Sequence, residues 1–300
     1  MPRQAWFAVV RRTWAEASDD NIGLVAAGVA FYGFLALVPM LGATVLLYGI
    51  FAEVDTVISH VTRLMSIMPT DIALLVGEQL LSVVTASSGK KGFGLLIALG
   101  VALFGARNAA GAIVTALNIV YEQKETRGFV RVNVLSLTIT AAAVTTVVAG
   151  LLGVAALGFV HLAIPSSPLL AAALRVLTYL ALALLAAGAA ATLYRYGPAR
   201  SRARWSWITP GSALFAVAWV TLTLGFGFYV ANFGSYGTTY GSLGAVVVLL
   251  TWMYLSAYAL LFGAELNAEL EHQTARDTTS GPEEPLGERG AWVADHVADD

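Results

Sequence analysis

The chain has 300 residues, of which 58% are apolar and only 12% charged, about half the charged share of an ordinary soluble protein. This composition marks an integral membrane protein. With no cysteine it excludes disulfides, thiol catalysis and cysteine-ligated metal or iron–sulfur sites, and its net charge of -2 hides a split between basic short loops and seven acids beyond Glu271.

Residues 3–17 set Trp6, Val10, Trp14 and Ala17 on one helical face with Arg3, Arg11 and Arg12 around it, which predicts a short helix in the headgroup region. No leader pattern or small-residue cleavage site precedes the first apolar run, so that run is expected to act as an uncleaved anchor, with the mature chain beginning near Met1. After Asp19 and Asp20 come 32 uncharged residues, Asn21 to Ala52. They predict a first span at about 22–51, kinked at Pro39. From Glu53 to Lys91 the pattern changes. Val54, Val57, Ile58, Val61, Leu64, Met65 and Met68 follow the helical period with Asp55, His60 and Arg63 between them, and a second stripe runs from Ile72 to Val84. Two amphipathic helices, about 54–68 and 71–86, are therefore expected between the first and second spans.

The second span, about 93–120, carries one charge, Arg107, amid small residues that let neighbouring helices approach. A guanidinium inside a span costs at least about 2.5–3.5 kcal/mol, so it is expected to face other helices rather than lipid. No charge occurs between Arg131 and Arg175, and HLAIPSSP divides that stretch into spans at about 133–160 and 169–194. The basic loop RYGPARSRAR follows. Trp205 to Ala264 is free of charge and is divided by NFGSYGTTYGS into spans at about 206–231 and 242–268. The fold class expected is all-α integral membrane, with six transmembrane helices, an N-terminal interfacial helix and the amphipathic pair. Its parts are residues 1–20, a six-span domain over 21–271, and an acidic tail, 272–300, with the composition of a disordered segment.

Lysine and arginine favour one side of this arrangement by ten to four, which puts both termini in the cytoplasm. The loop arginines of RYGPARSRAR then suit anionic lipid at the inner surface. Candidate interior polar groups are Arg107 and Asn108 in LFGARNAA and Glu265 and Asn267 in LFGAELNAELE. An Arg107–Glu265 ion pair is one reading. The other satisfies Arg107 with interior amides, hydroxyls and water and leaves Glu265 at the cytoplasmic interface, since counting from the outer ends puts the two about 12 Å apart in depth. Asn232, Ser235, Tyr236 and Tyr240 are candidate outer-loop contacts, either in a re-entrant segment or in an interfacial turn. His60 and His161 have no ligand spacing around them. No metal site, catalytic residue or cofactor is expected, and neither a phosphate-binding loop nor a nucleophile elbow occurs.

The stretches VAAGVAFYGFLALVPML, ARNAAGAIVTALNIVYEQKETRGFVR and YGSLGAVVVLLTWMYLSAYALLFGAELNAELE resemble the YihY/virulence factor BrkB family of bacterial inner-membrane proteins, over roughly residues 5–272. The motifs that carry the resemblance add Tyr32 and Asn118 to the candidate interior path. The resemblance implies six spans and cytoplasmic termini. Its members once carried the label ribonuclease BN, and some are linked to virulence, serum resistance or movement of lipid A precursors. Loops of about ten residues cannot enclose RNA, and no His/Asp cluster is present to bind hydrolytic metals, so neither nuclease activity nor a nucleic-acid partner is expected. Two readings remain. One is export or flipping of a lipid, with an anionic amphiphile as partner. The other is a non-transporting scaffold for envelope assembly or virulence.

Overall fold

A computed structural model of the chain describes residues 3–51, 88–163, 168–233 and 242–298. Among the described residues the elements are all helical: α1 (Arg3–Asp19), α2 (Ile22–Phe51), α3 (Ser88–Val120), α4 (Phe129–Ala163), α5 (Pro168–Tyr196), α6 (Trp205–Phe233), α7 (Ser242–His272) and α8 (Trp292–Asp295). The expected amphipathic helices, 54–68 and 71–86, lie outside the described residues, as do Ser235, Tyr236 and Tyr240.

In hydrocarbon each backbone N–H and C=O must be satisfied within the segment, which is why these long apolar runs are helices. Among the described residues five helical segments are long and apolar enough to cross a membrane: Leu103–Val120, Phe129–Thr146, Pro168–Tyr196, Trp205–Val230 and Val246–His272. Ala5–Asp19 and Ile22–Leu37 pass the same test only as a pair, bent by 63°. The hydroxyls carried on these helices are satisfied locally; Thr138, Thr178 and Thr221 each donate to the carbonyl four residues back at 2.8 Å.

The chain forms two compact units, Met1–Phe31 with Ala110–Asp300, and Tyr32–Ala109. In the first, α6 packs against both α5 and α7, α4 against α5, and α1 against α7. Its core gathers at the end of the helices that carries the termini. Ile22 and Ala26 from α2, Leu117 from α3, Tyr194 from α5, Ile208 from α6 and Leu261 and Ala264 from α7 are all buried there. In the second unit α2 and α3 approach closely, and a Cβ on Gly105 would lie 3.1 Å from the Ala36 Cα.

Two expectations need correction. On α1, Val9, Thr13 and Ala17 form the face buried in protein, with Val9 packed beside Leu266 and Leu270, while Trp6, Val10 and Trp14 point outward. Ala17 therefore belongs with Val9, one residue round from the tryptophan stripe. The acidic tail is not disordered through residue 298. It pairs with the basic loop through an antiparallel bridge at Ala203–Thr279, flanked by Arg204 N–H to Thr278 O and Ser280 N–H to Arg202 O, both 2.8 Å. Arg289 is buried at its centre and donates to the carbonyls of Glu284, Ala294 and Ala275, and Asp295 accepts from the N–H groups of Gly287 and Arg289 at 2.9 Å. Polar bonds, together with Val293 buried in the main core and the Trp292 ring 5.1 Å from that of His272, order this segment.

Candidate functional site

The last three turns of α7, read from Gly263 to His272, present two working faces because positions four apart in a helix lie one above the other. Gly263, Asn267 and Glu271 form one, and Glu265 and Glu269 the other, with Gln273 just beyond the helix in line with them.

The first face locks the bundle. Pro210 lies inside α6 and has no N–H to give to the preceding turn. Beside it Asn267, fully buried, accepts from Gly211 N–H at 2.7 Å and donates to Ile208 O at 3.2 Å, so its amide ties α7 to the backbone of α6 on both sides of the proline. This reach requires the two backbones to touch. A Cβ on Gly211 would fall 1.9 Å from Gly263 O, and one on Gly263 would fall 2.6 Å from Gly211 O. One turn earlier the Tyr194 hydroxyl donates to Leu260 O at 2.7 Å. One turn later Glu271 binds Arg200 at 2.7 Å and accepts from the Thr278 hydroxyl at 2.6 Å. The Arg200 and Glu271 side chains are 1% and 0% exposed, and the Arg200 guanidinium lies 4.9 Å from the Tyr121 ring centroid. The loop arginines expected to face anionic lipid are thus partly built into the fold: Arg204 Nε donates to Thr279 O at 2.7 Å, and Arg195 donates to Ala203 O and lies over the Trp205 ring.

The second face opens on a small, partly open cavity of about 30 Å³ at the same end of the bundle. Its walls carry Glu16, Asp20, Glu122, Glu265, Glu269 and His272, with Trp292 and Val293 of the tail closing one side. Glu265 is 2% exposed and its Oε1 has no hydrogen-bond partner. Asp20, in the turn between α1 and α2, lies within hydrogen-bonding reach of it, so two acids meet here. Burial first, then the charge of Glu122, pushes the Asp20 carboxyl up to about 6, and burial and Glu269 raise Glu16. Glu269 is answered by Arg12 at 2.7 Å and His272 at 3.4 Å. Among the described residues no group of three or more His, Cys, Asp and Glu side chains is arranged to hold a metal ion.

The other polar residues singled out from sequence fall elsewhere. Asn118, at the end of α3, donates to Glu125 at 3.0 Å and accepts from Ala199 N–H at 2.7 Å, bracing two loops. Glu125 is held down at about 2, chiefly by its hydrogen bonds from the Arg127 guanidinium. Arg107 lies in the second unit, half-buried, and donates to Asn108 Oδ1 at 3.0 Å. Tyr32 is 44% exposed in that unit, and Asn232 is in the last turn of α6. The structure thus brings Glu265 and Asn267 together on α7. It adds Glu16, Asp20, Glu122, Glu269 and His272, which sequence reasoning passed over. The spacing of Glu265, Glu269 and His272 marked one face, but the facing acids of α1 and the α3 terminus had no local signal.

The profile of the family described as Virulence factor BrkB matches residues 13–287. Among similar proteins is one of Bacillus subtilis (strain 168) named ribonuclease-like protein YfkH, 31% identical over 61% of this chain and 66% of its own length. Two more are UPF0761 membrane proteins. That of Tolumonas auensis is 35% identical over 33% of this chain and 32% of its own length, and that of Rhodospirillum centenum is 28% identical over 95% of this chain and 63% of its own. This chain therefore spans less than two thirds of the length of these relatives. No solved structure matches it.

Proposed function

Because the chain belongs to the BrkB virulence-factor family, as a multi-pass protein of the bacterial inner membrane, we propose that it moves or flips a lipid or other amphiphile for the cell envelope. The observation that carries this reading is Arg107. A half-buried guanidinium sits within a span, in a unit where Gly105 brings α3 against Ala36 of α2. Arginine keeps its charge there and offers a planar fork suited to a phosphate or carboxylate headgroup, which an anionic amphiphile provides. Asn108 at 3.0 Å orients the fork. Tyr32 belongs to the same unit and joins the proposed path, and Asn232, Ser235, Tyr236 and Tyr240 are kept as separate candidate contacts of the outer loop.

We read the membrane part as six spans joined by the amphipathic pair, with both termini cytoplasmic. Reporter fusions after Thr126 and Arg276 should give a cytoplasmic signal, and one after Ser87 an external signal; the reverse pattern would invert the assignment.

A second reading, a non-transporting scaffold, has its own support. Asn118, Asn267, Arg200 and Glu271 are committed to bonds between elements, as a rigid platform requires. A ribonuclease role, the word in the Bacillus relative's name, has no metal-capable cluster among the described residues to rest on. Reconstitution into vesicles carrying a fluorescent lipid separates the two main readings. Transport predicts that protein speeds loss of inner-leaflet protection from a membrane-impermeant quencher, and a scaffold predicts the rate of empty vesicles.

A further inference from the structure

The carboxylates of the terminus-end cavity outnumber the cations joined to it. Among the described residues, Arg12 and His272 meet that wall at Glu269, and the Arg12 Nε and Nη2 are already given to Glu269 at 2.7 Å and Gln273 at 2.5 Å. Glu16, Asp20, Glu122 and Glu265 line the same space. A cluster of acids alone is commonplace, but Glu265, which lines this space, is 98% withdrawn from solvent, and although its carboxyl meets that of Asp20 its Oε1 has no partner; His272 Nε2, on the same wall, is likewise unpartnered. Buried polar atoms in folded proteins are almost always hydrogen-bonded, so these two point to something that occupies the space.

We propose that this cavity binds an ammonium group, carried either by a small primary amine or by an amine-bearing lipid headgroup. The donor–acceptor inventory selects that class. Ionised carboxylates only accept, so the complement is positively charged and only donates, and an ammonium offers three N–H donors and no acceptor. A bare metal ion needs several ligand atoms converging on one point, and among the described residues no such group occurs. Trp292 and Val293 give the carbon next to the nitrogen an apolar wall. The raised Asp20 carboxyl is what such a site shows when it lacks its counter-charge. Because the tail supplies that wall and Ala298 N–H bonds to His272 O at 2.9 Å, the docked tail is part of the site. The inference is independent of the transport reading, since it involves neither Arg107 nor passage across the membrane.

The test is thermal unfolding of the full chain in detergent, titrated with methylammonium chloride, with tetramethylammonium chloride and sodium chloride at matched ionic strength as controls. A concentration-dependent rise in Tm with methylammonium alone is expected, because tetramethylammonium has no N–H to donate. Glu265→Gln should weaken binding at least tenfold. The exposed Glu122→Gln, which poses no packing problem, should weaken it severalfold and serves if the first variant fails to fold. In nanodiscs, greater stability in phosphatidylethanolamine than in phosphatidylcholine, lost in either variant, would assign the ammonium to a lipid headgroup. Equal responses to the three salts, or no response to methylammonium together with equal stability in the two lipids, would overturn the proposal.

Discussion

Asn267→Leu removes the side-chain amide while roughly keeping the volume, so its cost isolates the two bonds from α7 to the α6 backbone. Two buried groups lose their partner, Gly211 N–H at 2.7 Å and Ile208 O at 3.2 Å. Leaving a buried donor or acceptor unmade costs about 1–3 kcal/mol each, which gives about 2–6 kcal/mol. Two effects pull that down. The longer bond is the weaker, and hydrogen bonds within membrane bundles average only about 0.6 kcal/mol because the unfolded state also finds partners. The site nevertheless lies at the end of the span inside protein, where the Gly211–Gly263 contact leaves no room for a replacement partner. We expect a loss of about 2–3 kcal/mol in reversible unfolding by a denaturing detergent, and a much smaller loss for Asn267→Gln, which keeps the amide. A loss below about 0.5 kcal/mol for Asn267→Leu would refute the claim that Asn267 ties α7 to α6 beside Pro210.

Two further outcomes follow from the terminus-bearing end. The folded state holds the Asp20 proton more tightly than the unfolded chain, since its carboxyl rises from 3.8 to about 6. Asp20 therefore costs nothing below about pH 4 and destabilises increasingly as the pH rises through 6. Asp20→Asn should raise Tm at pH 8 and leave it unchanged at pH 3, a window in which Glu125, held at about 2, stays mostly ionised in the folded protein; an equal effect at both pH values would remove titration as the cause. Truncation after His272 removes the Thr278 bond to Glu271, the Arg204 N–H partner and the Trp292–Val293 wall, so it should lower Tm and open the α5–α6 loop to trypsin at Arg200. An unchanged Tm and digestion pattern would show the docking to be inconsequential.

The helical membrane class was legible because backbone satisfaction in lipid turns long apolar runs into helices almost regardless of detail. Glu265 and Asn267 also stood out, as polar residues near the end of an apolar run. Their roles did not, because each depends on a partner far along the chain: Asn267 on Gly211, and Glu265 on Asp20. The tail was misread for a different reason. Its order rests on Arg289 bonding backbone carbonyls, on a bridge to Ala203 and on the short Trp292–Val293 contact, and neither polar docking nor so short an apolar contact leaves a period to detect. Charge counting likewise treated Arg200, Arg202 and Arg204 alike, although Arg200 is fully buried against Glu271.

The central claim is that Arg107 serves the movement of an amphiphile rather than folding alone. The direct measurement is the initial rate of fluorescent-lipid exchange, normalised to folded protein, in vesicles holding wild type, Arg107→Lys or Arg107→Met. An ammonium keeps the charge but loses the bidentate fork, and methionine loses both. The account predicts a partial rate for Arg107→Lys and the empty-vesicle rate for Arg107→Met, with both variants inserted and folded. A wild-type rate in well-folded Arg107→Met would contradict it.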